Sequence, residues 1–483
     1  MSIYKKFTKD FGIMGITNLV LALKSIILLP LITKTLGAEG YGIWAQVGVT
    51  LGLLNPIAGL ILSYSFVRFF AAVKDKKEIQ NGFFSILITQ LCWSSFIALV
   101  LFFLANPIAN TLFGDTNAID IVKITAIILP FSTINALMIS YFRAYLQMKT
   151  FSALTIIQSF GELALIMYFV LQGYGVFGVV VSFLIVVIIM DLIMLAMIIS
   201  QIGIAFPKFS DMRVYLKFST PLIPTEFANW AVKSSDRYVI AFFMGIGPVG
   251  IYSAAYGLSY VISMLTSPFG LLLVPNISKL YDEGKIEDVK TFLAYSFKYI
   301  LMLIIPSAFG VSILAKHILQ IMTRPEFVSS GCLIIPLVAG SLVVLSIYAI
   351  FVQVIALVKK NEIVGTIWVI AALTNLGLNV IFVPRIGILG AAITTLIAYV
   401  IITAATAYFS VKYLRFDIYW QSILKSIAAS IVMCMVIWYL NPTQLFDVLL
   451  CIGAGAGIYA AILFLSKAFT EEEIRFFRNL FKS

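Results

Sequence analysis

Charge is scarce in this sequence. Of its 483 residues only 11% are Asp, Glu, Lys or Arg, against about 25% in an ordinary soluble domain. Such a chain cannot cover a water-facing surface, which excludes a soluble enzyme or binding module. Histidine occurs once, at His317, and cysteine four times, at Cys92, Cys332, Cys434 and Cys451. All four cysteines lie inside apolar stretches, with the spacing of neither a disulfide framework nor a metal site, so no metal is expected. No Asp-x-Asp pattern occurs, and no polar segment is long enough to fold alone. A membrane glycosyltransferase or ligase needs carboxylates at a membrane–water boundary and a sizeable extramembrane loop. Asp115, Asp120, Asp282, Glu283, Glu287 and Asp288 instead sit in short connectors and read as solvated. No catalytic residue and no cofactor is therefore assigned, and the chain is not expected to be an enzyme.

What fills the chain is apolar sequence, 61% of all residues. Blocks long enough to cross a bilayer as helices fall at 11–36, 41–69, 81–105, 119–146, 150–171 and 176–200 in the first half. The second half gives 218–244, 249–274, 291–315, 331–358, 363–383 and 386–410, and two more follow at 419–440 and 444–466. The expected fold class is an all-α polytopic membrane protein with about fourteen transmembrane helices.

The net charge of +11 does not indicate nucleic acid, because the cations lie in short connectors and not on one solvated face. They alternate: Lys5, Lys6 and Lys9 precede the first span, Arg68, Lys74, Lys76 and Lys77 follow the second, and similar groups follow every even-numbered span up to Lys467, Arg475, Arg478 and Lys482 at the C-terminus. The opposite connectors hold only Lys34, Lys123, Lys316, Arg324 and Arg385. The positive-inside rule then places both termini in the cytoplasm and the protein in the cell membrane. The N-terminal block lacks a small-residue cleavage site and reads as a span, not a signal peptide. The tail 470–483 reads as an amphipathic interfacial helix with a Thr470–Glu473 capping pattern.

An internal repeat is visible. Leu36-Gly37 and Gly42-Ile43-Trp44 align with Met244-Gly245 and Gly250-Ile251-Tyr252 at a constant offset, 245 − 37 = 250 − 42 = 208. Gly175-Val-Phe-Gly178 aligns with Gly387-Ile-Leu-Gly390 at 387 − 175 = 212. A six-span unit thus occurs twice in parallel orientation, a plan in which a substrate site lies between the halves. The expected organisation is an N-terminal six-helix lobe at 1–200, a cytoplasmic linker at 201–217, a C-terminal six-helix lobe at 218–410, two additional helices at 411–469 and the tail at 470–483.

Ionisable groups inside spans are costly and mark interiors or hydrated cavities. The seventh span carries Glu226, Asn229, Lys233 and Arg237, spaced by 3, 4 and 4 residues, with Asp236 beside Arg237. At about 100° per residue all four share one helical face. Turned inward, that face makes an anion site; if Glu226 or Asp236 neutralises the cations, it is an internal salt-bridge set. Lys24 in the first span is also expected to face a cavity, whereas Arg68 reads as a cytoplasmic anchor or a weaker cavity cation. Lys425 lies near a span end and reads as a headgroup anchor. Glu162 and Asp191 either carry a coupling H+ or Na+ or pair structurally, Glu162 with Lys24, and Glu226 and Asp236 are further candidates for ion coupling. A stripe of Ser253, Tyr256, Tyr260, Ser263 and Ser267 on the eighth span suits sugar rings or ordinary interhelical hydrogen bonds.

The motifs Leu36-Gly37-Ala-Glu-Gly40-Tyr-Gly42-Ile-Trp44, Ser235-Asp236-Arg237, Gly245…Gly250-Ile-Tyr252, Pro275-Asn-Ile-Ser278-Lys-Leu-Tyr281 and Asn379…Pro384-Arg-Ile-Gly387-Ile-Leu-Gly390-Ala-Ala give the chain a resemblance to the polysaccharide-biosynthesis flippases. These are the O-antigen and capsule type, within the multidrug/oligosaccharidyl-lipid/polysaccharide superfamily. The resemblance implies two six-helix bundles in a V with two appended helices. It implies a polyprenyl (pyro)phosphate-linked oligosaccharide as substrate, moved from the inner to the outer leaflet by alternating access. Membrane lipids and other polysaccharide-assembly proteins would be its partners, and nucleic acid would not. Lys24, Lys233 and Arg237, with Arg68 as a weaker fourth, would hold the phosphates. Two rivals share the fold, a cation-coupled drug or metabolite exporter and a peptidoglycan-precursor flippase. The exporters typically use acidic residues in the N-terminal lobe, where this chain's first span offers Lys24.

Overall fold

The computed structural model describes residues 3–113, 118–469 and 473. The amphipathic helix expected at 470–483 lies, apart from Glu473, outside the described residues. Every long element is helical, and none of the described residues forms a strand: α1 (Ile3–Ala58), α2 (Leu62–Phe70), α3 (Lys76–Phe103), α4 (Ala105–Ile108) running into a π turn at Ala109–Phe113, α5 (Ile119–Ala144), α6 (Met148–Leu171), α7 (Gly175–Ile202), α8 (Met212–Ser219) and α9 (Ile223–Met244). There follow α10 (Ile246–Asp282), α11 (Ile286–Met322), α12 (Val328–Leu357), α13 (Asn361–Ile386), α14 (Ile388–Tyr413), α15 (Trp420–Leu440) and α16 (Leu445–Leu465). Helices satisfy their own backbone groups, which is what a segment in hydrocarbon requires. Their outer faces expose large apolar side chains such as Phe103, Leu192, Leu373, Trp438 and Leu465, a surface that suits lipid and not water. The chain is a multi-pass membrane protein.

Among the described residues twelve helices are long and apolar enough to cross a membrane, against fourteen expected. Two features account for the difference. The first two expected spans run together in α1, which is hydrogen-bonded through but kinked at Gly37 (φ 71°, ψ −168°). The seventh falls on α9, whose 22 residues include Glu226, Lys233, Asp236 and Arg237, too many charges for an apolar segment.

The second expected span, 41–69, is also interrupted. Pro56 lies near the end of α1, and Leu60 and Ile61 both have positive φ before α2 resumes. The carbonyls released there find partners on α3: Gln90 donates to Gly59 O (2.8 Å) and the Trp93 indole to Ile57 O (3.1 Å). A broken helix is tolerated at membrane depth when neighbouring side chains satisfy its backbone in this way.

The chain divides into two compact units, residues 1–253 and 254–483. In the first, α2 is the core: Phe66 stacks on Phe70 (5.0 Å between ring centroids) and meets Phe83 and Tyr141. The stretch 201–217, expected as the cytoplasmic linker, runs from the end of α7 into α8 and is fastened down. Ser65 donates to Tyr215 O and Ser85 to Lys208 O, each at 2.9 Å. Burial pushes the Tyr215 hydroxyl up to about 12, so this ring stays neutral in its packing site. In the second unit α11 packs on α12, and α12 on α14. Leu314, Met433, Ile437, Val448 and Cys451 join α11, α15 and α16.

The repeat read from the sequence reappears in the backbone. Gly245, at offset 208 from Gly37, has nearly the same conformation (φ 83°, ψ −178°), one that residues with a Cβ rarely adopt. The repeat-related segments also meet. A Cβ on Gly250 would fall 2.9 Å from Gly42 N, with Ala38 O nearer still; one on Gly42 would fall 3.1 Å from Gly250 N, with Ile246 O nearer still. Ala38 and Ile246 are themselves related by 208, so the contact is reciprocal, glycine against glycine.

Candidate polar site in the first unit

Among the described residues of 1–253, three polar clusters hold buried or half-buried charged side chains. The first joins α1 to α6: Lys24 Nζ lies 2.7 Å from Glu162 Oε2, with side chains 16% and 9% exposed. The pairing weighed from the sequence is thus the arrangement present, and it holds the Lys24 charge within the unit.

The second joins α5 and α7. Asn135 Nδ2 donates to Asp191 Oδ1 at 2.8 Å, and Gln158 of α6 lies at the edge of hydrogen-bond reach of the same amide (3.5 Å). Asp191 is only 4% exposed, and its Oδ2 has no hydrogen-bond partner. A buried carboxylate oxygen left unmatched is expensive, which sets Asp191 apart from the paired carboxylates Glu162 and Asp236. Sequence reasoning missed Asn135; its signal was an amide beside Ser132 and Thr133 in the middle of α5.

The third lies where α9 packs on the part of α1 beyond its kink. Asp236 is fully buried and accepts from Arg237 Nη1 (2.8 Å) and from the Tyr252 hydroxyl. Arg237 also donates to Lys233 O at 2.6 Å, and its guanidinium lies over the Tyr252 ring, 5.2 Å from the centroid. Trp230 donates to Val49 O (3.0 Å) and Tyr238 bonds Thr50 (2.7 Å), locking α9 to α1. A pocket of about 260 Å³ remains between Ala45, Gly48 and Gly52 on one side and Ser234, Arg237 and Ser253 on the other. The small residues on α1 leave the room. Ser253 is nine-tenths buried, and its hydroxyl has no partner.

The seventh-span stripe is therefore real, but its members are unequal. Arg237 is 8% exposed and neutralised by Asp236; what it offers the pocket is hydrogen-bond donors with a compensated charge. Lys233 is half-buried, as is Asn229, whose Oδ1 is buried without a partner. Glu226 sits in the first turn of α9, where its charge suits the positive end of the helix. Arg68 is exposed in the last turn of α2.

Apart from Ser253, the tyrosine stripe belongs to the second unit. Tyr256 is buried and its hydroxyl lies 3.4 Å from that of Tyr399. Tyr260 stacks on it at 6.4 Å and is 45% exposed. The side chain of Ser267 lies outside the described residues. Asn375, Asn379 and Thr394 form a buried ladder, Thr394 to Asn379 at 2.7 Å and Asn379 to Asn375 at 3.1 Å, as packing polar groups do.

Comparison with known proteins bears on the family and the fold. Residues 31–330 match the family described as polysaccharide biosynthesis protein. Among curated proteins, the chain is 21% identical over 280 residues to the probable low-salt glycan biosynthesis flippase Agl15 of Haloferax volcanii, covering 57% of this chain and 58% of that protein. It is 30% identical over 165 residues to the probable flippase AglR of the same organism, 34% of each chain. The chain therefore spans about three fifths of the first relative's length and a third of the other's. Among solved structures, the lipid II flippase MurJ in an inward closed conformation superposes with a TM-score of 0.77 at 18% identity, over 95% of this chain and 98% of that one. An inward-facing MATE-family multidrug resistance transporter of the MOP superfamily superposes with a TM-score of 0.68 at 14% identity, over 82% and 97%. At these identities the likeness is one of fold.

Proposed function

This chain belongs to the polysaccharide biosynthesis family, and from that premise we propose that it is a flippase. It moves a polyprenyl phosphate- or pyrophosphate-linked oligosaccharide from the cytoplasmic to the outer leaflet of the cell membrane, by alternating access, for surface glycan assembly. The observation that carries this reading is the Arg237–Ser234–Ser253 pocket against the small residues of α1. It is a set of donors buried in a chain otherwise built for lipid. A saccharide head cannot cross hydrocarbon unaided, because its hydroxyls would lose their water partners. Buried donors supply replacements, and Arg237 and Lys233, with Lys24 and Arg68, suit the phosphates.

The proposal includes fourteen crossings, the twelve apolar helices plus α9 and the second segment of α1, in two six-helix lobes with α15 and α16 appended. Both termini are cytoplasmic, as the connector cations require. An inside-negative membrane favours outward movement of an anion by about 2.3 kcal/mol per charge per 100 mV. Coupling to H+ or Na+ falls to Asp191, whose unmatched carboxylate oxygen is the observation that also favours a second reading, a cation-coupled exporter of the same fold. A peptidoglycan-precursor flippase differs only in the sugar.

Purified protein in proteoliposomes tests the choice. Wild type is expected to move a fluorescent polyprenyl-pyrophosphate oligosaccharide faster when the donor side is negative. Absence of flipping across several lipid-linked sugars, with Na+- or H+-driven efflux of a small organic cation instead, selects the exporter.

A further inference from the structure

A second pocket, of about 440 Å³, lies where α15 begins. Its walls are built by the chain leaving α16, which is strapped across the start of α15. Ser422 donates to Ala468 O (3.2 Å) and Lys425 Nζ to Lys467 O (3.0 Å). Behind the strap sits Lys298 of α11, 1% exposed and held by both Glu473 oxygens at 2.8 Å. The rings of Tyr299, Tyr419 and Phe469 surround its ammonium at 5.8, 5.2 and 5.7 Å. Glu473 pairs with Lys298, and Lys425 and Lys467 also line the pocket, neither paired with a carboxylate among the described residues. The nearest acidic neighbour before α15, Asp417, lines a separate cleft that also holds Arg415 and Lys290. The N-terminal turn of α15 adds its own positive end.

We propose that this pocket binds the phosphate headgroup of an anionic lipid from the inner leaflet. The orientation rests on the cytoplasmic placement of the C-terminal connectors given above; the site itself is independent of what the protein transports. A lipid fits better than a free anion because the rim of the pocket is apolar and open. Trp420 is 63% exposed at the mouth, and Leu424, Phe464 and Leu465 are exposed on the adjoining faces of α15 and α16. A headgroup between Lys425 and Lys467 leaves its acyl chains against those side chains, with Trp420 at the interface, where such rings settle. Basic pockets between helices on the cytoplasmic side are the usual form of anionic-lipid recognition.

The test is lipid retention, which is blind to transport. Full-length protein is exchanged into mixed phosphatidylcholine and phosphatidylglycerol, and bound lipid is read by native mass spectrometry. Wild type is expected to retain phosphatidylglycerol selectively. The pair Lys425→Gln/Lys467→Gln keeps a donor for the strap and is expected to lose about 30-fold in retention, roughly fivefold per lysine. The control pair Lys359→Gln/Lys360→Gln, exposed cations in another connector, is expected to retain phosphatidylglycerol as wild type does. Equal loss in both pairs means diffuse surface charge and overturns the site. Thermal stability in pure phosphatidylcholine supplies the other arm. A rise with phosphatidylglycerol but not with millimolar inorganic phosphate supports a lipid, and an equal rise with phosphate overturns it. Selective retention establishes the lipid site even where the flipping assay fails, because neither readout requires transport.

Discussion

Gly250→Ala is the sharpest perturbation the fold offers. The added methyl falls 2.9 Å from both Gly42 N and the Ala38 carbonyl carbon, with the carbonyl oxygen nearer still. All three are backbone atoms, so no rotamer change relieves the clash. The helices must part by on the order of 1 Å, and overpacking of this kind costs about 1–3 kcal/mol. If the reciprocal contact closes the non-cytoplasmic side in only one state of the cycle, that energy shifts the equilibrium toward the separated state by roughly five- to 150-fold. Ser253, nine-tenths buried three residues away, reports the change. In a background with the four native cysteines replaced, Ser253→Cys is expected to react slowly with a membrane-impermeant maleimide added outside. It is expected to react at least severalfold faster once Gly250→Ala is added. Gly257→Ala, where an added Cβ meets nothing within 4 Å, is the control and should leave the rate unchanged. An unchanged rate in Gly250→Ala, with only a lowered melting temperature, would show that the contact is permanent packing and would refute the reasoning.

Other outcomes follow from the buried charges. Lys24→Ala strands Glu162 and is expected to cost about 3 kcal/mol in unfolding assays, while Lys24→Met/Glu162→Leu recovers most of it. Asp191→Asn tests the proposed coupling role; on that proposal, transport by this variant should lose its response to an imposed H+ or Na+ gradient, with the melting temperature near wild type. Glu473→Ala releases the strap over α15, so limited proteolysis of the purified protein should cut the C-terminal segment markedly faster, leaving the helices intact.

Much of the helical architecture was legible in the sequence, because hydrophobic length is a local signal. The paired glycines at offset 208 were legible too, since the positive-φ backbone at Gly37 and Gly245 favours glycine at both places. Partnership was harder to read. The Glu226–Arg237 face was visible as periodicity, but periodicity does not say that Asp236, on the next residue, folds back to neutralise Arg237. Lys298 escaped notice entirely: its partner lies 175 residues away, and nothing local separates a buried lysine near a span end from a snorkelling one. The break at 59–61 was hidden for the same reason, since it depends on Gln90 and Trp93 reaching across from α3.

The central claim, a buried donor pocket that carries a lipid-linked phosphate, is tested most directly by flipping of a fluorescent lipid-pyrophosphate oligosaccharide in proteoliposomes. Wild type is compared with Arg237→Ala and Lys233→Ala, each verified as folded by its melting transition. The account predicts transport by wild type and a loss of tenfold or more in both variants. Wild-type rates in folded Arg237→Ala would contradict it.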